Sequence, residues 1–172
     1  MKFLFTTTDK LYSRLIRWGL EEDCSHFAIQ FDLPTRSVIM ESIIEKGVHR
    51  CDVDGFLKEN RVIHSLEYVG DKYVDNLFYD CVYRHYNNGY DTTAIMFWAL
   101  AAAAKKLFHM EQPWYNPWDM DNKHYCVEVL DGSELLMAQY LGLDVSKVDW
   151  GMTSPREAFD ILRKSDKLKE TP

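Results

Sequence analysis

Two short apolar runs separated by a proline turn limit the fold more than any other feature of this chain. Residues 25–31 and 37–43 read as strands, joined by a turn that contains Pro34;. Phe27, Ile29, Val38 and Met40 recur at every second position, the pattern of a sheet with a buried face;. A four-residue connection sets Phe27 opposite Met40 and Ile29 opposite Val38, so all four share one face. The same register sets His26 opposite Glu41 on the other face. A loop one residue longer or shorter destroys both matches together. The apolar pattern alone therefore pairs a histidine with a carboxylate.

The remaining elements follow from periodicity and punctuation. Residues 2–6 read as a strand. Thr8 or Asp9 caps a helix to about Leu20, with Leu11, Leu15 and Trp18 on one side;. A short helix over 52–60 and a strand over 61–68 come next. From Asp71 the spacing of Tyr73, Leu77 and Cys81 predicts a helix that Asn87-Asn88-Gly89 breaks;. A very apolar helix is expected over 92–108, then a rigid aromatic loop with Trp114, Tyr115 and Trp118. A helix from Cys126 to about Tyr140 ends at Gly142, and a last helix opens at Ser154-Pro155;. The expected fold class is α+β, a small antiparallel sheet packed against helices in one domain over 1–172.

Composition narrows the class. An apolar fraction of 47% supplies a core and argues against disorder;. A net charge of −7 gives no electrostatic footprint for nucleic acid or anionic lipid;. Only Phe3-Leu4-Phe5 follows Lys2 before polar residues, which is not a secretory leader;. The most apolar stretch, 94–104, is too short to span a bilayer;. A cytoplasmic protein without an integral membrane segment is the expectation. The four cysteines, Cys24, Cys51, Cys81 and Cys126, form no CxxC pair and are expected to be reduced;.

Cys126 is the candidate nucleophile. It stands where a polar loop gives way to an amphipathic segment, and the positive end of a helix dipole there favours a thiolate. His26 is the candidate base and Glu41 the group that orients it, with Glu45 and His49 as alternatives for the third position. Cys24 and His26 have the C-x-H spacing of a strand metal site, a weak signal without a second ligand pair.

The order of these pieces resembles the permuted papain-like superfamily, which includes YiiX-like and lecithin–retinol acyltransferase-like proteins and is related to NlpC-type amidases. The matching pieces are Ser25-His26-Phe27-Ala28-Ile29, Val38 to Ser42 with Gly47-Val48, Gly89-Tyr90-Asp91 and Tyr125-Cys126-Val127-Glu128. They span about 3–162. One departure is Val127, where the family often has a small residue. The resemblance implies a circularly permuted papain-like domain and thiol chemistry on a peptide, amide or acyl ester, by Cys126, His26 and Glu41. No metal or organic cofactor is needed for such chemistry. Tyr90, Trp114 and Tyr125 are the candidate substrate contacts, although Asp91 beside Tyr90 better suits a helix cap and the tryptophans equally suit anchors for their loop. A compact form of this kind also suits a bacteriophage product. The competing class is a binding protein that keeps the scaffold without the chemistry. The substrate, and the choice between hydrolase and acyltransferase, stay open.

Overall fold

In the computed structural model the described residues are 1–93, 104, 106 and 123–171. Six strands form one antiparallel sheet: β1 (Lys2–Thr7), β2 (His26–Asp32), β3 (Ser37–Ile43), β4 (Gly47–Asp52), β5 (Arg61–Tyr68) and β6 (Leu168–Thr171). Their order across the sheet is β4-β3-β2-β1-β5-β6. The α+β class is as the sequence pattern predicts. No helix among the described residues is long and apolar enough to cross a membrane.

The period-two pattern sorts side chains between two faces of unequal depth. Phe3, Phe5, Phe27, Ile29, Phe31, Val38, Met40, Val48 and Leu66 join the main core. Each fully buried side chain of this size is worth about 1.5–3 kcal/mol. Helices α3 (Lys72–Tyr83) and α4 (Pro155–Leu162) cover that face through Val74, Phe78, Val82, Ala158, Phe159 and Leu162. On the other face a small cluster of Leu4, Ala28 and Ile39 is closed by Phe56 of α2 (Val53–Glu59). Asp52, Asp71 and Ser154 cap α2, α3 and α4 with their side chains;.

Three expectations need correction. The β2–β3 register is shifted by two: Ile29, not Phe27, faces Met40, and Phe31, not Ile29, faces Val38. Strand β2 runs on to Asp32, whose carboxylate accepts from Ser37 and Gln30, so the four-residue loop is 33–36. A shift of two preserves every face assignment. Helix α1 (Leu11–Leu20) starts after Lys10 without a side-chain cap, and Leu11, Leu15 and Trp18 are exposed. It is seated instead through Ser13, which shares hydrogen bonds with Thr7 and Ser25. In α3 the buried residues are Val74, Phe78, Cys81 and Val82, so of the expected row Cys81 is buried while Tyr73 faces outward.

The long cysteine helix is also replaced by shorter pieces. A 3₁₀ turn, Val127–Leu130, is followed by Gly132 at a φ of 77°. A single α-turn, Glu134–Leu136, then widens into π-helical Met137–Leu141. Ser133 caps the break by donating to the Leu130 carbonyl. Gly142 ends the segment in the left-handed conformation, as expected;. The predicted apolar helix over 92–108 lies largely outside the described residues, and Trp114, Tyr115 and Trp118 lie entirely outside them.

Candidate active site

His26 opens β2, and Glu41 lies in the middle of β3. Ala28 is the residue directly opposite Glu41, so His26 reaches the carboxylate diagonally along one face;. The contact is short, 2.8 Å from His26 Nε2 to Glu41 Oε2. Both side chains are sheltered, with 14% and 7% of their surface exposed. The Phe56 ring, 6.3 Å away between centroids, stands beside the imidazole.

Cys126 precedes the 3₁₀ turn and is 4% exposed. Its thiol lies close enough to the His26 ring to raise the pKa of that ring. Burial by itself lowers the pKa of His26. The hydrogen bonds and charges of Cys126 and Glu41 more than reverse this and push it up to about 10;. Burial likewise raises Glu41, but the bond and charge from His26 bring its carboxyl below its ordinary value. A four-residue 3₁₀ turn carries little macrodipole, so the imidazole, rather than a helix end, is the positive group beside the sulfur;.

Backbone clamps fix the cysteine segment. Ser42, the neighbour of Glu41, donates to the His124 carbonyl at 2.5 Å. The His124 N–H donates to the Gly89 carbonyl at 2.9 Å, beside a parallel bridge between Gly89 and Lys123. Buried Glu128 accepts the Tyr125 N–H at 2.6 Å, which holds the bend on which Cys126 sits. Sequence reasoning passed over Glu128. Its signal was a carboxylate three residues after the start of a turn, the spacing of a capping residue.

Of the candidate substrate contacts, Tyr125 is buried, and its hydroxyl donates to the carbonyls of Trp150 and Thr153. Its ring still borders a depression with Ile16, Leu20, Ser25, Cys126, Ser154 and Pro155. Tyr90 packs on the main core close enough to Cys126 for their charges to interact; burial first, then Cys126, pushes its hydroxyl well above the ordinary value. A second depression runs past His26 and Glu41, lined by Thr8, Lys10, Tyr12, Ser13 and Asn60. The two meet at Ser25, giving the sulfur an apolar side and the carboxylate a polar one. His124 belongs to a separate cluster with His85 and Asn88, at 3.1 and 3.0 Å. Burial and then His85 lower its pKa to about 4.

All four cysteines are free. Burial, with nearby carboxylates, pushes the Cys24 and Cys51 thiols up, and burial raises Cys81. Cys24 sits in the main core and joins no ligand cluster among the described residues. Glu45 is exposed. His49, the other alternative for the third position, lies 3.5 Å from the second oxygen of Glu41.

No family model matches the chain, and no curated protein matches it either. Among solved structures it is similar to the metalloprotein YiiX of Escherichia coli O157:H7, with a TM-score of 0.60 and 11% identity. The match covers 99% of this chain and 94% of that one. At this identity the likeness is one of fold, and the α+β fold of this chain is YiiX-like.

Proposed function

We propose that the protein is a thiol-dependent hydrolase of amide or ester bonds that works through Cys126, His26 and Glu41. The observation that carries the reading is one imidazole 2.8 Å from a carboxylate, with the Cys126 thiol near enough to act on its pKa. Glu41 occupies Nε2 of His26, which leaves Nδ1 to exchange a proton with the sulfur;. The sulfur attacks the carbonyl carbon, and the oxyanion gathers at the Cys126 N–H. His26 then delivers its proton to the leaving amine or alcohol. A water, deprotonated by His26, hydrolyses the thioester and frees the thiol. The apolar depression beside Cys126 suits the acyl portion, and Tyr90, packed on the main core, is a further candidate contact. The permuted papain-like resemblance and the YiiX-like fold support the same assignment. The partner is a peptide, amide or acyl-ester substrate; a lipid acyltransferase runs the same first half-reaction and hands the acyl group to another acceptor.

One observation favours a second reading, a binding protein on this scaffold: Cys126 is only 4% exposed, with Val127 behind it. A small alkylating reagent at neutral pH separates the two. Cys24, Cys51 and Cys81 are held protonated by burial and carboxylates, so labelling on the hydrolase reading is fast and selective at Cys126;. Uniformly slow labelling supports the binding protein. In single-turnover acylation by an activated ester, Cys126→Ala abolishes the reaction. His26→Ala lowers it by about 10²–10⁴-fold, and Glu41→Gln lowers it less. An active Cys126→Ala protein rules out the thiol mechanism.

A further inference from the structure

Glu41 also belongs to a second cluster, which the thiol chemistry does not use. It faces His49 of β4 as a direct cross-strand pair. Cys51 lies two residues beyond His49 on the same strand, hence on the same face;. One carboxylate oxygen, one ring nitrogen and one sulfur from these residues all lie within 4.8 Å of one another. Glu41 Oε1 is 3.3 Å from Cys51 Sγ and 3.5 Å from His49 Nε2. Around a tetrahedral zinc ion with bonds of about 2.0–2.3 Å, neighbouring O, N and S donors stand about 3.4–3.6 Å apart. The 3.5 Å contact already falls in that range and the 3.3 Å contact lies just below it.

The histidine is oriented for such a role. His49 Nδ1 lies 3.3 Å from the Gly47 carbonyl oxygen, which only an N–H can engage;. In the neutral ring the proton is then on Nδ1, and Nε2 presents a lone pair to Glu41 Oε1, itself an acceptor. Two acceptors in that arrangement repel unless a cation lies between them. A histidine whose other nitrogen donates to a backbone carbonyl recurs in protein metal sites, because that bond fixes the tautomer and the ring.

We infer that Glu41 Oε1, His49 Nε2 and Cys51 Sγ form a three-ligand site for a divalent ion of zinc type, with a fourth position left for water. The mixed O, N, S donor set selects a borderline-soft ion over magnesium or calcium. On binding, the Cys51 S–H bond breaks, its proton passes to solvent, and the sulfur electron pair forms the metal bond. His49 binds as the neutral ring, and Glu41 Oε2 stays with His26. The site shares Glu41 with the hydrolase reading but uses neither Cys126 nor the His26 ring as a ligand, so metal binding is read separately from thiol chemistry.

Cobalt(II) added to chelator-treated full-length protein tests the assignment. The expected result is a thiolate-to-cobalt charge-transfer band that saturates at one equivalent and is displaced by zinc. Cys51→Ser removes the band, and His49→Ala weakens binding by at least about 10–100-fold. Cys126→Ala keeps band and stoichiometry. Protection of Cys51 from alkylation by bound zinc, read by mass spectrometry on the wild type, answers without any substitution. Absence of the band, its survival in Cys51→Ser, its loss in Cys126→Ala, or an unprotected Cys51 overturns the site.

Discussion

His26 receives opposing influences whose balance sets its charge. Desolvation favours the neutral ring, yet the carboxylate on one side and the sulfur on the other raise its pKa to about 10, so the ring is an imidazolium at neutral pH;. A pKa raised on folding stabilises the folded state fully below the ordinary value of 6.5, and that stabilisation is lost as pH rises toward 10;. In metal-free protein, the stability difference between wild type and His26→Gln should therefore shrink between pH 6.5 and 10, as followed by urea unfolding;. Glu41 works in the other direction. Its depressed pKa contributes above the ordinary carboxylate value and is lost as pH falls through the folded one;. Ring resonances of His26 should titrate lower in Cys126→Ala than in wild type, because one of the two raising partners is gone. Identical titrations would mean that the sulfur is not the partner.

Hairpin β2–β3 and the cysteine segment differ in how far their sequences reveal them. Alternation fixes which side of a strand each residue occupies, and that is why His26 and Glu41 could be assigned to one face. It does not fix which residues stand opposite, because a slide of two leaves the alternation intact. Asp32, with partners at Ser37 and Gln30, chose between the two registers. The residues from Cys126 to Tyr140 are apolar at helical spacing and read as one helix. Local hydrogen bonds at Glu128 and Ser133 and the left-handed Gly132 divide it, and no period reports them. Strand β4 was not assigned from the sequence, so the alternation of His49 with Cys51 went unread. Its entry at Gly47 is testable. Gly47 has a φ of +65°, and a Cβ there would lie 2.0 Å from the Asn88 carbonyl oxygen. Gly142 has nearly the same φ, +67°, with nothing within 4 Å. Alanine at Gly142 should cost about 1–3 kcal/mol for the backbone conformation. Alanine at Gly47 should cost more, and the difference between their unfolding midpoints measures the clash. Equal losses would mean that the Asn88 turn yields freely.

Across the whole molecule, the sheet joins residues 2 to 171, and its two outermost strands come from opposite halves of the chain. Among the described residues strand β6 pairs only with β5, from Ser65↔Thr171 to Tyr68↔Leu168. A chain ending after Ser165 would leave β5 as an open edge, a template for other chains. Such a truncation should melt at lower temperature and scatter light at concentrations where the intact protein does not. Unchanged melting would show that β6 is dispensable.

The bridge between Gly89 and Lys123 has an effect that reaches beyond the local backbone. The chain departs at Gly89 and comes back to the same point, with the His124 N–H on the Gly89 carbonyl. The pairing closes a loop of the chain at its two ends. Closing a longer excursion costs only about 0.6 kcal/mol for each doubling of its length. A change of length between the two residues therefore adds little at the bridge itself, while the bonds that seat the Cys126 segment are made outside it, by Ser42 and Glu128;.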